Sequence, residues 1–125
     1  MSHDIARCGE ARCSIGLVIP STLDCVGPGA SELRDVAAFA AREALDALCV
    51  ADHLLWPTTV LDPTVALVAP SMVTRRVRLG TAVLQLPWRR PRDVTEACAS
   101  ISRLSRGQII PGIGVDVARI PFVVR

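Results

Sequence analysis

The sequence predicts an α/β fold in which a parallel sheet is covered by helices. Four short segments are apolar almost throughout and rich in branched side chains, which is typical of strands buried on both faces. Between them, apolar residues recur every three or four positions, the spacing of a helix with one buried side. At 125 residues the chain has the length of one domain with one core.

The first strand is predicted from Ser14 to Pro20, where a run of apolar residues ends at the proline. A loop that contains Gly27, Pro28 and Gly29 follows it. The first helix is predicted from Ser31 to Leu45, with the hydroxyl of Ser31 as its N-cap.

The second strand is predicted from Ala47 to Leu55 and is apolar except for Asp52 and His53 near its end. Asp62 and Pro63 have the chemistry of a helix start, so a second helix is expected from there to about Thr74. Pro70 lies inside that helix and should kink it, because proline has no N–H to donate.

The third strand is predicted from Val77 to Leu86, and a third helix from Pro91 to Leu104 with Gly107 placed to end it. The fourth strand is predicted from Gln108 to Val115. Periodicity alone does not distinguish an open doubly wound sheet from a barrel.

The charge pattern argues against a nucleic-acid partner. The formal net charge is only +2, and every basic residue is an arginine, mostly beside Asp or Glu in the sequence. We interpret the two arginine clusters as solvated ends of helices and loops, in preference to a phosphate site; they are Arg75, Arg76 and Arg78, and Arg89, Arg90 and Arg92. No apolar run is long enough for a membrane span, and no signal peptide is visible.

The cysteines indicate a reducing, cytoplasmic location. There are five of them, an odd number, and none forms the C-x-x-C spacing of a zinc or redox site. His3, Cys8 and Cys13 could in principle hold a metal, but we interpret residues 1–13 as a flexible leader and expect no metal site.

Four stretches, in this order, resemble the luciferase-like oxidoreductases, whose members use a flavin or the deazaflavin coenzyme F-420. None is diagnostic alone, but the ordered set is fairly specific. The stretches are VADHLL (Val50–Leu55), LDPTVAL (Leu61–Leu67), RVRLGTAVLQLPWRRP (Arg76–Pro91) and RLSRGQIIPGIGV (Arg103–Val115).

The resemblance implies the first half of an eight-stranded (β/α) barrel, a fold that typically needs about 250 residues. Residues 14–115 would form this half-barrel, and residues 116–125 follow no family pattern and are predicted to be a divergent tail. One departure concerns Ala44 and Leu45, which stand where the family usually has Gly-Phe. The resemblance thus implies a truncated oxidoreductase, of flavin monooxygenase or hydride-transfer type, that is weakly active or inactive alone.

For the site, the resemblance implies that His53 moves a proton and that Asp52 lies beside the cofactor, either FMN or coenzyme F-420. Active sites of such barrels lie at the carboxyl ends of the strands, which is where this pair falls. Histidine suits proton transfer near neutral pH. The alternative is that an Asp-His pair at a strand end only binds backbone groups or water.

The third strand carries the rest of the implied cofactor site. Thr81, Ala82 and Val83 match a segment in which a non-proline cis peptide, here Ala82–Val83, forms a bulge behind the cofactor ring. Gly112 and Gly114 would leave room for the cofactor near the fourth strand, although alternating glycines also fit close packing of backbones.

A half-barrel would leave two sheet edges and one apolar face uncovered. We therefore expect association through the open edges, either as a homodimer or with a partner that carries the other half. Pro111 in the fourth strand fits a sheet edge, because it lacks a ladder donor. The alternative function is a non-catalytic half-barrel that binds a partner subunit or a small ligand.

Overall fold

A computed structural model describes residues 14–19, 21, 29–53 and 58–115 of the chain. The predicted leader at 1–13, the loop glycine Gly27 and the predicted tail at 116–125 lie outside these residues. The described elements are, in order, β1 (Gly16–Ile19), α1 (Ala30–Arg42), β2 (Ala47–Val50), α2 (Pro63–Ala66), α3 (Val68–Ser71), β3 (Arg78–Gln85), a 3-10 turn (Leu86–Trp88), α4 (Pro91–Leu104) and β4 (Ile109–Gly114).

The four strands form one parallel sheet in the order β1-β2-β3-β4, which confirms the predicted fold. Cys49 of β2 is paired with Val18 on one side and with Gly80 on the other. The register of β3 against β4 shifts between Thr81 and Leu84, so β3 carries an irregularity there. Strand β2 ends at Val50, earlier than predicted.

The core lies between one face of this sheet and the helices. Alternate strand residues point to opposite faces, so each strand offers every second side chain to the helices. From the sheet, the buried cluster contains Ile19, Leu48, Val50 and Leu79, with Val77 just before β3. From the helices it contains Leu33, Ala37, Ala40, Ala66 and Ile101, with Leu67 between α2 and α3.

The other face of the sheet is not covered by any described residue. Val18 is 52% exposed and Ile110 is 49% exposed. A shallow cavity of about 200 Å³ on this face is lined by residues that include Cys49, Arg78 and Ile110. The apolar side chains of Val18 and Ile110 occupy the positions that would point into the interior of a closed barrel.

The first turn of α1 differs from the prediction. The N-cap is Gly29, and the hydroxyl of Ser31 donates to the Glu32 carboxylate at 2.7 Å without capping the helix. Ser31 is the second residue of the helix, and the Leu33 N–H already donates to the Gly29 carbonyl. The predicted N-cap is therefore wrong by two positions.

The segment after Asp62 was predicted as one kinked helix and is instead two single turns. Asp62 caps α2 as expected, since its Oδ1 accepts the N–H groups of Thr64 at 2.8 Å and Val65 at 3.2 Å. Pro70 has no N–H for the carbonyl of Ala66, so the regular hydrogen-bond ladder is interrupted between α2 and α3. None of the helices in the described ranges is long and apolar enough to cross a membrane.

Helices α1 and α4 end in the same way. The N–H of Leu45 donates to the Ala40 carbonyl at 2.9 Å, and that of Gly107 donates to the Ser102 carbonyl at 2.7 Å. Each bond spans five residues and closes over a residue at φ 58°, which is Ala44 after α1 and Arg106 after α4. This is the Schellman arrangement, whose left-handed position favours glycine.

We predict that Ala44→Gly stabilises the fold by about 0.5 to 1 kcal/mol, because glycine removes the Cβ that crowds a left-handed backbone. Urea unfolding followed by circular dichroism measures the change in the free energy of unfolding.

Ala38→Gly is the matched control, because Ala38 is exposed in the middle of α1, where glycine should cost about 1 kcal/mol. Each substitution replaces an alanine methyl group by hydrogen, and the two should change the free energy of unfolding in opposite directions. Equal destabilisation by both would contradict the left-handed geometry at Ala44.

Candidate functional site

The carboxyl ends of three strands meet at one edge of the sheet. Asp52 and His53 follow β2, Gln85 is the last residue of β3, and Gly114 is the last residue of β4. Gln85 is paired with Gly114 in the sheet and is hydrogen-bonded to Asp52. The edge that was predicted to carry the site therefore exists as a connected set of residues.

Asp52 is buried, with only 4% of its surface exposed. Its Oδ2 accepts the main-chain N–H of Gln85 at 3.0 Å, and its main-chain oxygen accepts the Gln85 side-chain Nε2–H at 2.8 Å. The end of β2 is thus tied to the end of β3 through both the main chain and the side chain of Asp52.

Arg89 forms a bidentate ion pair with the same carboxylate. Its Nε donates to Asp52 Oδ2 and its Nη2 donates to Asp52 Oδ1, both at 2.9 Å. Its Nη1 donates to Asp62 Oδ2 at 2.6 Å. One guanidinium therefore joins the end of β2 to the N-cap of α2.

The position of Arg89 corrects its interpretation as part of a solvated chain end, whereas its two cluster neighbours, Arg90 and Arg92, are exposed as predicted. The Arg89 side chain is only 16% exposed. The signal for this contact in the sequence is that Asp52, Asp62 and Arg89 each follow a strand or a loop that leads to the same edge. Their pairing depends on the tertiary fold, so local spacing does not reveal it.

The ion pairs shift the pKa of two groups. Hydrogen bonding to Asp52 is the main reason that the pKa of Arg89 is raised, against an opposing effect of burial, with Asp62 adding to the rise. For Asp62, burial is the largest single influence and acts to raise the pKa. The hydrogen bonds from Thr64 and Arg89, the Arg89 charge and the Val65 N–H together outweigh it and lower the pKa.

His53 is half-buried and follows Asp52 directly at this edge. The fixed main-chain oxygen of Asp52 belongs to the peptide bond between these two residues. That His53 faces the open side of the sheet and moves a proton stays a prediction.

The peptide bond between Ala82 and Val83 is cis, at the position that the resemblance implies. Both residues are exposed, while the preceding Thr81 is buried and its hydroxyl donates to the Gly112 carbonyl at 2.8 Å. The irregularity in β3 is therefore held against β4 by a side-chain hydrogen bond, and Ala82 and Val83 remain accessible.

The two glycines of β4 allow its backbone to approach this irregularity. A Cβ at Gly112 would overlap the Thr81 carbonyl oxygen, and one at Gly114 would lie 2.5 Å from Val83 Cγ2. Atoms of β3 fill the space beside both residues. This geometry favours the close-packing interpretation of the glycines, and a direct contact of either with a cofactor stays a prediction.

The model of the luciferase-like monooxygenase family matches residues 14–123. The chain belongs to that family. The match reaches into the segment predicted as a divergent tail, whose boundary stays a prediction. No curated protein sequence matches the chain significantly.

Solved structures of two monooxygenases and of a coenzyme F-420-dependent reductase have a similar fold. One is the oxygenating constituent of 3,6-diketocamphane monooxygenase from Pseudomonas putida in complex with FMN (TM-score 0.69, 16% identity, 83% of this chain and 30% of that one). A second is the monooxygenase RslO1 from Streptomyces bottropensis (TM-score 0.70, 21% identity, 82% and 33%). A third is the coenzyme F-420-dependent tetrahydromethanopterin reductase from Methanopyrus kandleri (TM-score 0.68, 17% identity, 83% and 27%).

The chain spans between 27% and 33% of the length of these three structures. At such identities the likeness shows the fold of the luciferase-like barrels. It confirms that the parallel sheet belongs to this barrel class and not to an open doubly wound sheet.

The residues at this edge fit the flat ring of a flavin or deazaflavin on one side. Ala82 and Val83 offer an exposed apolar surface beside the end of β2. The Asp52 carboxylate is already bound by Arg89 and Gln85, so contact with a ring falls to other groups. Among the residues that the structure describes, no group of three His, Cys, Asp or Glu side chains could hold a metal.

We predict that Asp62→Asn makes the luciferase-like chain less sensitive to acid. Because the folded state lowers the pKa of Asp62 below the unfolded value of about 3.9, its contribution to stability is present above about pH 4 and is lost as the pH falls through the folded value. Asparagine keeps the cap but does not titrate. Urea unfolding at pH 6 and pH 3 measures the loss.

Asp35→Asn is the control for a general loss of negative charge, since Asp35 is an exposed residue of α1. The wild type and the Asp35 variant should lose more stability on acidification than the Asp62 variant. The same acid loss in all three proteins would contradict the role given to Asp62.

Proposed function

We propose that this chain supplies part of the cofactor site of a flavin- or deazaflavin-dependent oxidoreductase. The observation that carries the proposal is the convergence of Asp52, His53 and the β3 irregularity at the carboxyl edge of the sheet. Barrels of this class place their active sites at that edge. Family membership supports the proposal, since the similar solved structures include an FMN complex and a coenzyme F-420-dependent enzyme.

In this proposal His53 holds the proton that the reaction needs. A bound flavin or deazaflavin supplies the acceptor or donor of the hydride. An imidazole can act as a general acid or base, and in this proposal His53 does so at a ring nitrogen that would face the substrate. The clamp on the main-chain oxygen of Asp52 fixes the peptide that leads into His53.

Ala82 and Val83 would form the apolar surface behind the ring. Their exposed side chains and the adjacent main chain would exclude water from one ring face. Thr81 and Gly112 hold this surface in place from behind through their 2.8 Å hydrogen bond. These residues orient the ring and take no part in proton transfer.

The chain alone should bind either cofactor weakly and turn over poorly. Phosphate sites in such barrels are commonly built from the loops after the seventh and eighth strands. The described part of this chain contributes four strands, so the phosphate of a bound cofactor would have few partners here. Weak or absent activity of the isolated chain is thus part of the proposal.

We further propose a reducing, cytoplasmic location with neither nucleic acid nor membrane as a partner. Cys49 and Cys98 are free thiols. Burial raises the pKa of both, against a smaller opposing effect of Arg78 on Cys49, so both thiols stay protonated near neutral pH. They are therefore suited to packing and not to nucleophilic chemistry.

We predict that FMN and coenzyme F-420 each bind the isolated chain with a Kd weaker than about 10 μM, or about −7 kcal/mol. Fluorescence titration measures the affinity. Two-dimensional NMR locates the ring, which should perturb the amides of His53, Ala82 and Val83. Those of Arg103 and Leu104, at the far end of α4, should not move.

His53→Ala should weaken ring binding, whereas Arg103→Ala, a surface change at the far end, should not. Binding that perturbs only residues away from the carboxyl edge would contradict the proposal. Micromolar or tighter binding that His53→Ala abolishes would contradict the expectation that the chain alone binds weakly.

A second candidate function is that of a non-catalytic half-barrel that binds a partner or a small ligand. The observation that favours it is the uncovered sheet face, with Val18, Val83 and Ile110 all exposed. A second copy related by a twofold axis along the barrel would place β4 beside β1 of its partner in parallel, giving eight strands. Two identical seams would then cover both apolar faces.

We predict from this candidate that the purified chain associates at tens of micromolar. Size-exclusion chromatography with light scattering measures the mass, and an apolar dye reports the exposed face. Val18→Glu should lower association because it places a charge on the buried side of the seam. A monomer that binds no dye would contradict the candidate, whatever the cofactor titrations give.

A further inference from the structure

We infer that Arg89 is a positioning residue for the Asp52–His53 dipeptide at the edge that we assign to the cofactor. The role of His53 in this inference rests on the proposed function, whereas the position of the His53 backbone does not. All three guanidinium nitrogens donate to carboxylates, two of them to Asp52 and one to Asp62.

The contacts leave Asp52 little freedom. Arg89 binds both carboxylate oxygens, the Gln85 N–H binds one of them as well, and Gln85 Nε2 binds the main-chain oxygen. The peptide unit between Asp52 and His53 is planar. Hydrogen bonds fix both its oxygen and the Asp52 side chain that precedes it, so its orientation is fixed as well. The main-chain nitrogen of His53 belongs to that unit, so Arg89 and Gln85 fix the position of the His53 backbone.

The charge of Arg89 is needed because Asp52 is buried. A carboxylate out of water is strongly destabilising unless an opposite charge and hydrogen bonds compensate it. The bidentate fork matches the two oxygens of Asp52, and a lysine at this position would reach them only as a single point charge. Losing the fork should therefore loosen the dipeptide even where a positive charge remains.

A phosphate site is the main rival interpretation of Arg89. The fork that would receive a phosphate is occupied by Asp52. The adjacent cavity of about 630 Å³ is lined by Arg89 and Arg90 but also by Asp62 and Asp93, so its charges balance and no excess of positive charge favours an anion. The geometry therefore favours a positioning role over ligand binding.

The experiment compares Arg89→Lys with Arg90→Lys in the full chain. Arg90 is the next residue and is exposed, so its variant controls for a Lys in this segment. We expect Arg89→Lys to shift the imidazole resonances of His53 and to weaken ring binding about tenfold, which corresponds to about 1.4 kcal/mol. Arg90→Lys should change neither.

Asp62→Asn separates positioning from stability. This substitution weakens the ion pair between Arg89 and residue 62 but leaves the contacts between Arg89 and Asp52 in place. It should therefore lower the melting temperature without moving the His53 resonances. If Arg89→Lys lowers the melting temperature but leaves the His53 resonances in place, Arg89 only stabilises the fold and the inference is wrong.

The outcomes also distinguish this inference from the proposed function. If His53 moves in Arg89→Lys but neither FMN nor coenzyme F-420 binds the wild type, the proposed function fails and the positioning role stands. If both cofactors bind the wild type and the Lys variant alike, with His53 unmoved, the positioning role fails and the proposed function stands.

Discussion

The buried ion pair between Arg89 and Asp52 is the constraint on which the carboxyl edge of this structure depends. Asp52 has almost no contact with water, so the fold tolerates its charge only while the guanidinium is in place. Meeting that condition brings together three segments that are distant in sequence: the end of β2, the turn that leads from β3 into α4, and the N-cap Asp62 of α2. The geometry of the candidate site follows from this condition.

A second constraint is that the helices of the described ranges cover one face of the sheet and leave the other open. The strands are apolar on both faces, yet the helices pack on the side of Leu48 and Leu79, and Val18 and Ile110 are left exposed on the other. Burial of the open face would add about 25 cal/mol for each Å² of apolar surface. Covering this face, as a closed barrel does, would therefore stabilise the fold.

Strand order, parallel pairing and the bounds of α4 could be predicted, because they depend on the apolar pattern of each segment. An interruption was predicted at Pro70, but the break lies one turn earlier, between α2 and α3, because the hydrogen bond that Pro70 cannot donate would have ended on the Ala66 carbonyl. The N-cap at Gly29 was missed because Ser31 has better capping chemistry but lies inside the helix. Arg89 was missed because two carboxylates from elsewhere in the chain determine its position.

The residues predicted for the site divide into two groups by what they contact. Asp52, Thr81 and Gly112 are engaged with other parts of the chain, through the ion pair and the β3–β4 hydrogen bond, and so hold the edge together. Ala82 and Val83 are exposed beside it. Residue type alone does not separate these groups, because a carboxylate at a strand end suits a cofactor and an arginine equally well. The separation comes from tertiary contacts between residues that are far apart in the sequence.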